Sequence, residues 1–287
     1  MKTNGIVLGT VQFGPDYGIS NSSGKTKIDE AFRILSLASE KKITTLDTAF
    51  AYGDSLDVIG RFHRETRQFF FINSKFKTDE QISITDQLDR TLEKLQVDCL
   101  ETYFYHRCED MDRPDIHQVL KSLKSKKYIQ KIGVSIYTNS EFKTAIENEN
   151  IDVIQIPFNL LDNFSKRGAL IKLAKHKGKE IQCRSVFLQG LFFMESNAIP
   201  AKLKDLIPYV NKLRELAQNM KISVEGMALK YALTQSLIDN VLIGVNTQEQ
   251  LASNLLNSKL EAPDSLFQEI DRIDVKEIDL LNPQNWL

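Results

Sequence analysis

Cysteine, histidine, tryptophan and any excess of one charge are scarce in this chain of 287 residues. The three cysteines, Cys99, Cys108 and Cys183, are too few and too scattered for a disulfide framework or a thiolate metal site. Cys99 and Cys183 fall in strand-like runs and are expected to be buried free thiols, which suits a reducing cytoplasm. The four histidines have no metal-ligand spacing, so no metal is expected. Lysine plus arginine (37) and aspartate plus glutamate (38) balance to a net charge of −1. That balance argues against a nucleic-acid or acidic-membrane partner. No apolar run approaches transmembrane length, and the opening MKTNGIVLGT lacks an apolar signal core.

What remains is an ordinary share of apolar residues, 42%, arranged with a clear period. Eight short apolar or β-branched runs recur: GIVLGT (5–10), ITTLDT (43–48), FFFINSK (69–75), CLETYFYH (99–106), KIGVSI (131–136), VIQIPF (153–158), EIQCRS (180–185) and NVLIGV (240–245). Helical patterns lie between them. Ile28, Ala31, Phe32, Leu35 and Ala38 share one face, behind Thr26-x-x-Asp29 as a capping box. Ile84, Leu88, Leu92 and Leu95 share another, behind Ser83-x-x-Asp86. Leu251, Leu255 and Leu256 follow Thr247-x-x-Gln250. Asp54 or Ser55 is placed to cap a helix after the second run. Between runs seven and eight comes an excursion, QGLFFMESNAIPAKLKDLIP, then two helices over roughly 206–219 and 223–236. Alternating strands and helices imply parallel pairing, and eight units predict a closed (β/α)8 TIM barrel spanning 1–287 as a single domain.

The strand ends are polar. They carry Gly9-Thr10, Asp47, Ser74-Lys75, His106, Ser135, Gln155 leading to Asn159, and Arg184-Ser185. In a closed barrel these ends ring one mouth, where chemistry is housed. Tyr52 follows Asp47 by five residues. A free phenol titrates near pH 10, and a neighbouring Lys75 ammonium is expected to lower it. Asp47 would hold that ammonium, and His106 could donate to a carbonyl oxygen. Such a set delivers a proton to an oxygen that is gaining electrons, as in carbonyl reduction. The hydride must then come from a cofactor, because no side chain supplies one.

These residues and their order resemble the aldo/keto reductase family over nearly the whole length. The matching segments are LGTVQFG (8–14), LDTAFAYG (46–53), INSKF (72–76), ETYFYH (101–106), KIGVS (131–135), VIQIPFNLL (153–161), RSVFLQGLF (184–192) and IGVNTQEQLASN (243–254). The resemblance implies that Asp47, Tyr52, Lys75 and His106 form the catalytic tetrad, with Tyr52 the general acid. It implies a nicotinamide cofactor, with NADPH favoured and NADH or dual use open. By the same resemblance Gly9, Thr10, Asp47, Ser135, Gln155, Arg184, Ser185, Phe187, Gln189, Gly244, Asn246, Gln250 and Asn254 contact the cofactor. Gln12 and Arg107 join Tyr52 and His106 toward a small carbonyl substrate. The opening LGTVQFGPDYGISNSSGKT is similar to a bacterial branch associated with surface-polysaccharide genes, which suggests a polar or sugar-like substrate.

The chain departs from the family pattern at several places. Ile136 stands where an amide usually grips the nicotinamide, and Arg184 where an aromatic ring usually stacks on it. Arg184 is expected either to stack on the cofactor or to pair with a rim carboxylate. Residues 244–258 contain no lysine or arginine for a 2′-phosphate, although Thr247 and the amides at the helix start could receive one. Only Met1 to Asn4 precede the first run, so the usual hairpin plugging the barrel floor is expected to be missing, with the floor covered by another segment or a second copy. The charged loop RCEDMDRPD follows His106, with Arg107, Asp110, Asp112 and Arg113 as candidate substrate contacts. Trp286 is expected to pack in the tail or to fold over the mouth. Two other readings compete: a cofactor-binding sensor on the same fold, and a lyase that uses Lys75 as a Schiff-base nucleophile.

Overall fold

The computed structural model describes residues 5–78 and 81–286. Eight parallel strands close on themselves in sequence order. They are β1 (Gly5–Gly9), β2 (Thr45–Asp47), β3 (Phe71–Phe76), β4 (Leu100–Tyr105), β5 (Ile129–Ser135), β6 (Val153–Pro157), β7 (Glu180–Arg184) and β8 (Asn240–Gly244). All eight expected runs are strands. The helices are α1 (Ile28–Glu40), α2 (Ser55–Thr66), α3 (Ile84–Leu95), α4 (Pro114–Ser125), α5 (Asn139–Glu147), α6 (Phe164–His176), α7 (Ile207–Asn219), α8 (Val224–Leu233), α9 (Gln248–Asn257) and α10 (Asp264–Asp271). The excursion after β7 holds two short 3-10 segments, Leu188–Phe193 and Ala201–Leu206.

Local chemistry explains most helix starts. The Ser83 hydroxyl accepts from the Asp86 amide, and Thr247 does the same for Gln250. The box expected at Thr26 does not form. Lys27 is the N-cap of α1, and the Thr26 hydroxyl donates instead to the Asn246 carbonyl at 3.3 Å. Asp54 occupies the N-cap of α2 but makes no cap bond, because its carboxylate pairs with Lys25. Ser55 is drawn inward to Thr10. On α9, Leu256 is 72% exposed; Asn254 is buried beside Leu251 and turns toward the barrel mouth. Cys108 and Cys183 are buried, but Cys99 is exposed because it lies in the turn just ahead of β4.

Strand alternation decides what faces the barrel axis. Phe104 points inward, and its ring fills the space left by Gly133, where a Cβ would come within 2.4 Å of the ring. At the N-terminal end, Lys131 on β5 pairs with Glu180 on β7 (2.8 Å) and reaches Glu101 on β4 (3.0 Å), while Asn240 on β8 donates to Glu180 at 2.9 Å. These four residues join four strands at the barrel floor. The expected lack of a hairpin ahead of β1 concerns residues 1–4, which lie outside the described residues. Trp286 is buried, donates to the Leu280 carbonyl (2.8 Å), and does not line the mouth, so the packing alternative holds.

Candidate active site

Register sets the site. Asp47 at the end of β2 pairs with Asn73 on β3, so Lys75 stands two residues higher on the same inward face. Lys75 in turn pairs with Phe104, which leaves His106 two residues beyond it on the inward side of β4's end. The Lys75 ammonium donates to the Asp47 carboxylate and, at 3.1 Å, to the Thr48 carbonyl. The side chains of this pair are only 3% and 4% exposed. The second Asp47 oxygen accepts from Gln155 at 2.9 Å, and Gln155 also donates to Gln182 on β7. Both carboxylate oxygens are therefore satisfied, as a buried charge requires.

Tyr52 lies above this pair. Lys75 Nζ sits 5.4 Å from the centre of the Tyr52 ring, and the His106 ring meets it edge-on at 6.0 Å. The loop that carries Tyr52 is pinned at both ends. Thr48 and Ser55 share a hydrogen bond at 3.1 Å, and Ser55 donates to the hydroxyl (2.8 Å) and carbonyl (3.0 Å) of Thr10. Gly14 lies directly on the Tyr52 backbone, where any Cβ would approach the Tyr52 carbonyl oxygen to 1.9 Å. That close approach is why the loop after β1 ends its first turn on glycine.

The phenol titrates in the direction opposite to expectation. Burial raises the Tyr52 pKa first, and the Asp47 and Tyr137 charges raise it further. Arg184 acts the other way without offsetting them, and Lys75 is engaged with Asp47. The hydroxyl keeps its proton across the working range. His106 is pushed down to about 3, by burial first and then by Lys75, Lys77, Arg184 and Arg107. Its Nδ1 is buried without a partner among the described residues, which leaves Nε2 as the accessible nitrogen. A neutral ring protonated at Nε2 can donate to a carbonyl oxygen.

A pH dependence follows. Unfolded histidine binds a proton near pH 6.5, whereas folded His106 resists until about 3. The unfolded chain thus takes up the proton first as pH falls. The stability that neutral His106 contributes is complete above pH 6.5 and declines as pH drops toward 3. His63, buried and bonded to the Leu95 carbonyl, shifts in the same direction. The His106→Gln variant should therefore lose less melting temperature between pH 6.5 and 4.5 than the parent does. An NMR titration in which the His106 ring charges above pH 5 would contradict this.

The tetrad lines one end of a cavity of about 570 Å³ at the C-terminal strand ends. Every residue expected to hold the cofactor lines it too. Gly9, Thr10, Ser135, Gln155, Arg184 and Ser185 come from strand ends. Phe187 and Gln189 come from the loop after β7, and Gly244, Asn246, Gln250 and Asn254 from β8 and α9. Gly9 pairs with Gly244 across β1 and β8, so two neighbouring strand ends present bare backbone to the cavity. Gln155 and Ser135 line this floor beside the tetrad and Asn254 lines it at α9, the separation that a dinucleotide's two ends would need.

Other placements differ from expectation. Arg184 pairs with no carboxylate among the described residues. Its guanidinium lies 4.1 Å over the Tyr137 ring and donates to the Ile136 carbonyl (2.9 Å), Ser135 (3.3 Å) and Ser185 (3.1 Å). Gln12 lines the cavity against Gly244, among the cofactor-side residues, and its Oε1 is buried without a partner among the described residues. Arg107 is exposed, lies 3.5 Å from Glu109, and does not line the cavity. The rest of the charged loop turns away as well: Asp110 is buried against Thr78, and Arg113 pairs with Asp115 (2.8 Å). Ser74 faces the helices, and Asn159 holds the Ser185 carbonyl at 3.3 Å without reaching the cavity.

The structure adds residues with no sequence signal. Tyr17 and Ser20, from the loop after β1, cross the mouth to Gln189: Gln189 donates to the Tyr17 hydroxyl (3.4 Å), and Ser20 donates to the Gln189 carbonyl (3.2 Å). Tyr137, Phe193, Ser223, Glu225, Ser253 and Asn257 also line the cavity. Only tertiary placement brings these loop tips together.

Comparison with known proteins places the chain. A family profile described as "Aldo/keto reductase family" matches residues 5–275. The "Aldo-keto reductase str7" of Strobilurus tenacellus is 27% identical over 64% of this chain and 57% of its own length. The "NADH-specific methylglyoxal reductase" of Escherichia coli K12 is 23% identical over 64% of this chain and 62% of its own. These matches thus span less than two thirds of either relative. Among solved structures, the holo form of aldo-keto reductase AKR11C1 from Bacillus halodurans superposes with a TM-score of 0.75 at 20% identity, over 95% of this chain and 93% of that one. With the barrel, the strand-end tetrad and a profile match over most of its length, the chain belongs to the aldo/keto reductase family.

Proposed function

We propose that this chain reduces an aldehyde or ketone, using a nicotinamide cofactor as hydride donor and Tyr52 as the source of the proton. The observation that carries the reading is the buried Asp47–Lys75 pair beneath Tyr52, with His106 beside it, at one end of a cavity that runs on to α9. In this reading Tyr52 and Nε2 of His106 hold the substrate oxygen. The cofactor supplies the hydride. As negative charge gathers on the oxygen, Tyr52 releases the proton that its surroundings had kept on it. Lys75, held in place by Asp47, sits below the ring and is the cation that faces the charge left behind. The glycine-floored side of the cavity, with Gln155 and Ser135, seats the nicotinamide.

The substrate end is walled by Tyr17, Tyr137, Arg184, Phe187, Gln189 and Phe193. Hydroxyls, an amide and a guanidinium among aromatic faces favour a small polar or sugar-like carbonyl compound. Lys75 donates to both Asp47 and the Thr48 carbonyl; neither contact favours the bare amine that a Schiff-base lyase needs. We read the whole chain as one domain acting in a reducing cytoplasm, with Cys108 and Cys183 buried as free thiols.

The test is a panel of aldehydes, sugars and sugar-nucleotide carbonyl compounds, followed by nicotinamide absorbance. Turnover of at least one polar carbonyl compound is expected. Cofactor binding without turnover of any of them would favour the sensor reading.

A further inference from the structure

The end of the cavity farthest from the tetrad is where α9 begins and α8 passes. The start of a helix can receive a phosphate through its free amide N–H groups. At α9 two of these groups are already taken. The Gln248 amide donates to the carboxylate of Glu30, on α1, at 2.6 Å. The Glu249 carboxyl is held below the usual carboxylate range, first by its own backbone amide and then by the Thr247 hydroxyl. The Gln250 amide donates to Thr247 at 3.2 Å, and the Gln250 side chain turns back to accept from the Asn246 amide at 2.7 Å.

Two carboxylates, Glu30 and Glu249, thus complement the positive end of the α9 dipole where a phosphate would otherwise be attracted. A third, Glu225 at the start of α8, is the only charged side chain lining this part of the cavity among the described residues. The charged lining residues apart from it, Asp47, Lys75 and Arg184, are all at strand ends around the tetrad. Arg33, a cation that acts on Glu249, is exposed on α1 and engaged with Glu30 at 3.2 Å.

We infer that this protein takes NADH and discriminates against NADPH, with Glu30 and Glu249 closing the α9 helix start to a 2′-phosphate and Glu225 facing the cofactor's far end. The inference rests on the proposed use of a nicotinamide cofactor and deepens it. A phosphate ester carries up to two negative charges, and at the α9 start it would meet the Glu30 carboxylate, with the Gln248 and Gln250 amide donors already engaged. An unesterified ribose hydroxyl, by contrast, can donate to a carboxylate or to the amides of Gln250 and Asn257. The preference toward which the family resemblance leans is therefore reversed by side chains from α1, α8 and α9.

The experiment is a titration of the purified full chain with NADH and with NADPH, followed by nicotinamide fluorescence in the absence of substrate. NADH is expected to bind at least tenfold more tightly, and the gap should narrow as salt is raised. The double variant Glu30→Gln/Gln250→Arg should shift the ratio of the two dissociation constants at least tenfold toward NADPH. NADPH binding as tightly as NADH in the parent protein would mean that Arg33 leaves Glu30 for the phosphate, and it overturns the inference while leaving the proposed function intact. An unchanged ratio in the double variant overturns it as well. Failure of both dinucleotides to bind removes the proposed function and this inference together.

Discussion

Tyr52→Phe should lower the rate of carbonyl reduction by about 10²–10⁴-fold, the range that a positioned proton donor contributes, while cofactor affinity stays within about twofold, a margin well inside the tenfold that 1.4 kcal/mol represents. The substitution removes one oxygen and leaves the ring. Lys75 keeps its place 5.4 Å from the ring centre, and the Thr48–Ser55 pinning of the loop does not involve the phenol. The hydroxyl bonds to no protein group among the described residues, so its loss strands no partner. What disappears is the proton. Single-turnover absorbance measurements on pre-bound cofactor separate the two quantities. A Tyr52→Phe variant that reduces substrate at the parent rate would end the assignment of Tyr52 as the acid.

The second large effect is on stability. Lys75→Met should destabilise the fold by about 3–5 kcal/mol, because it leaves the Asp47 carboxylate buried with Gln155 as its remaining side-chain donor. For a chain of this size that is a fall of roughly 10 °C in melting temperature. The double variant Asp47→Asn/Lys75→Met removes the stranded charge as well and should recover most of the loss. Neither variant should regain activity. This pattern separates a pair kept for chemistry from one kept for stability, since only chemistry needs both charges. Equal melting temperatures for the parent and Lys75→Met would show that the pair is not buried as described.

The strands were legible because each is a short apolar run stopped by polar or turn residues, and parallel pairing needs strands buried on both faces. The tetrad was legible for the same reason: a charge at the end of such a run has few purposes. What failed was mostly parity and competition. Arg107 follows His106, and alternation that turns His106 inward turns its neighbour out. Thr26 fits a capping pattern, but the Asn246 carbonyl, 220 residues away, claimed its hydroxyl. The Tyr52 pKa is set first by burial of the phenol, which no spacing reveals. Leu256 matched an apolar face that α9 shares with the cavity, so Asn254 was buried and the leucine was not. Tyr17, Tyr137 and Glu225 reach the site from loops or helix starts, whose convergence is a property of the closed barrel.

The loop after β1 touches the site at two places with different meanings. At Gly14 it rests on the backbone of Tyr52; a few residues later, Ser20 ties it to Gln189 on the opposite rim. A single stretch of chain therefore spans from the acid to the far wall like a beam on two supports. Load at one support is felt at the other. The rim that a ligand must pass and the backbone on which the phenol is seated are therefore held by one short stretch of chain, residues 14 to 20.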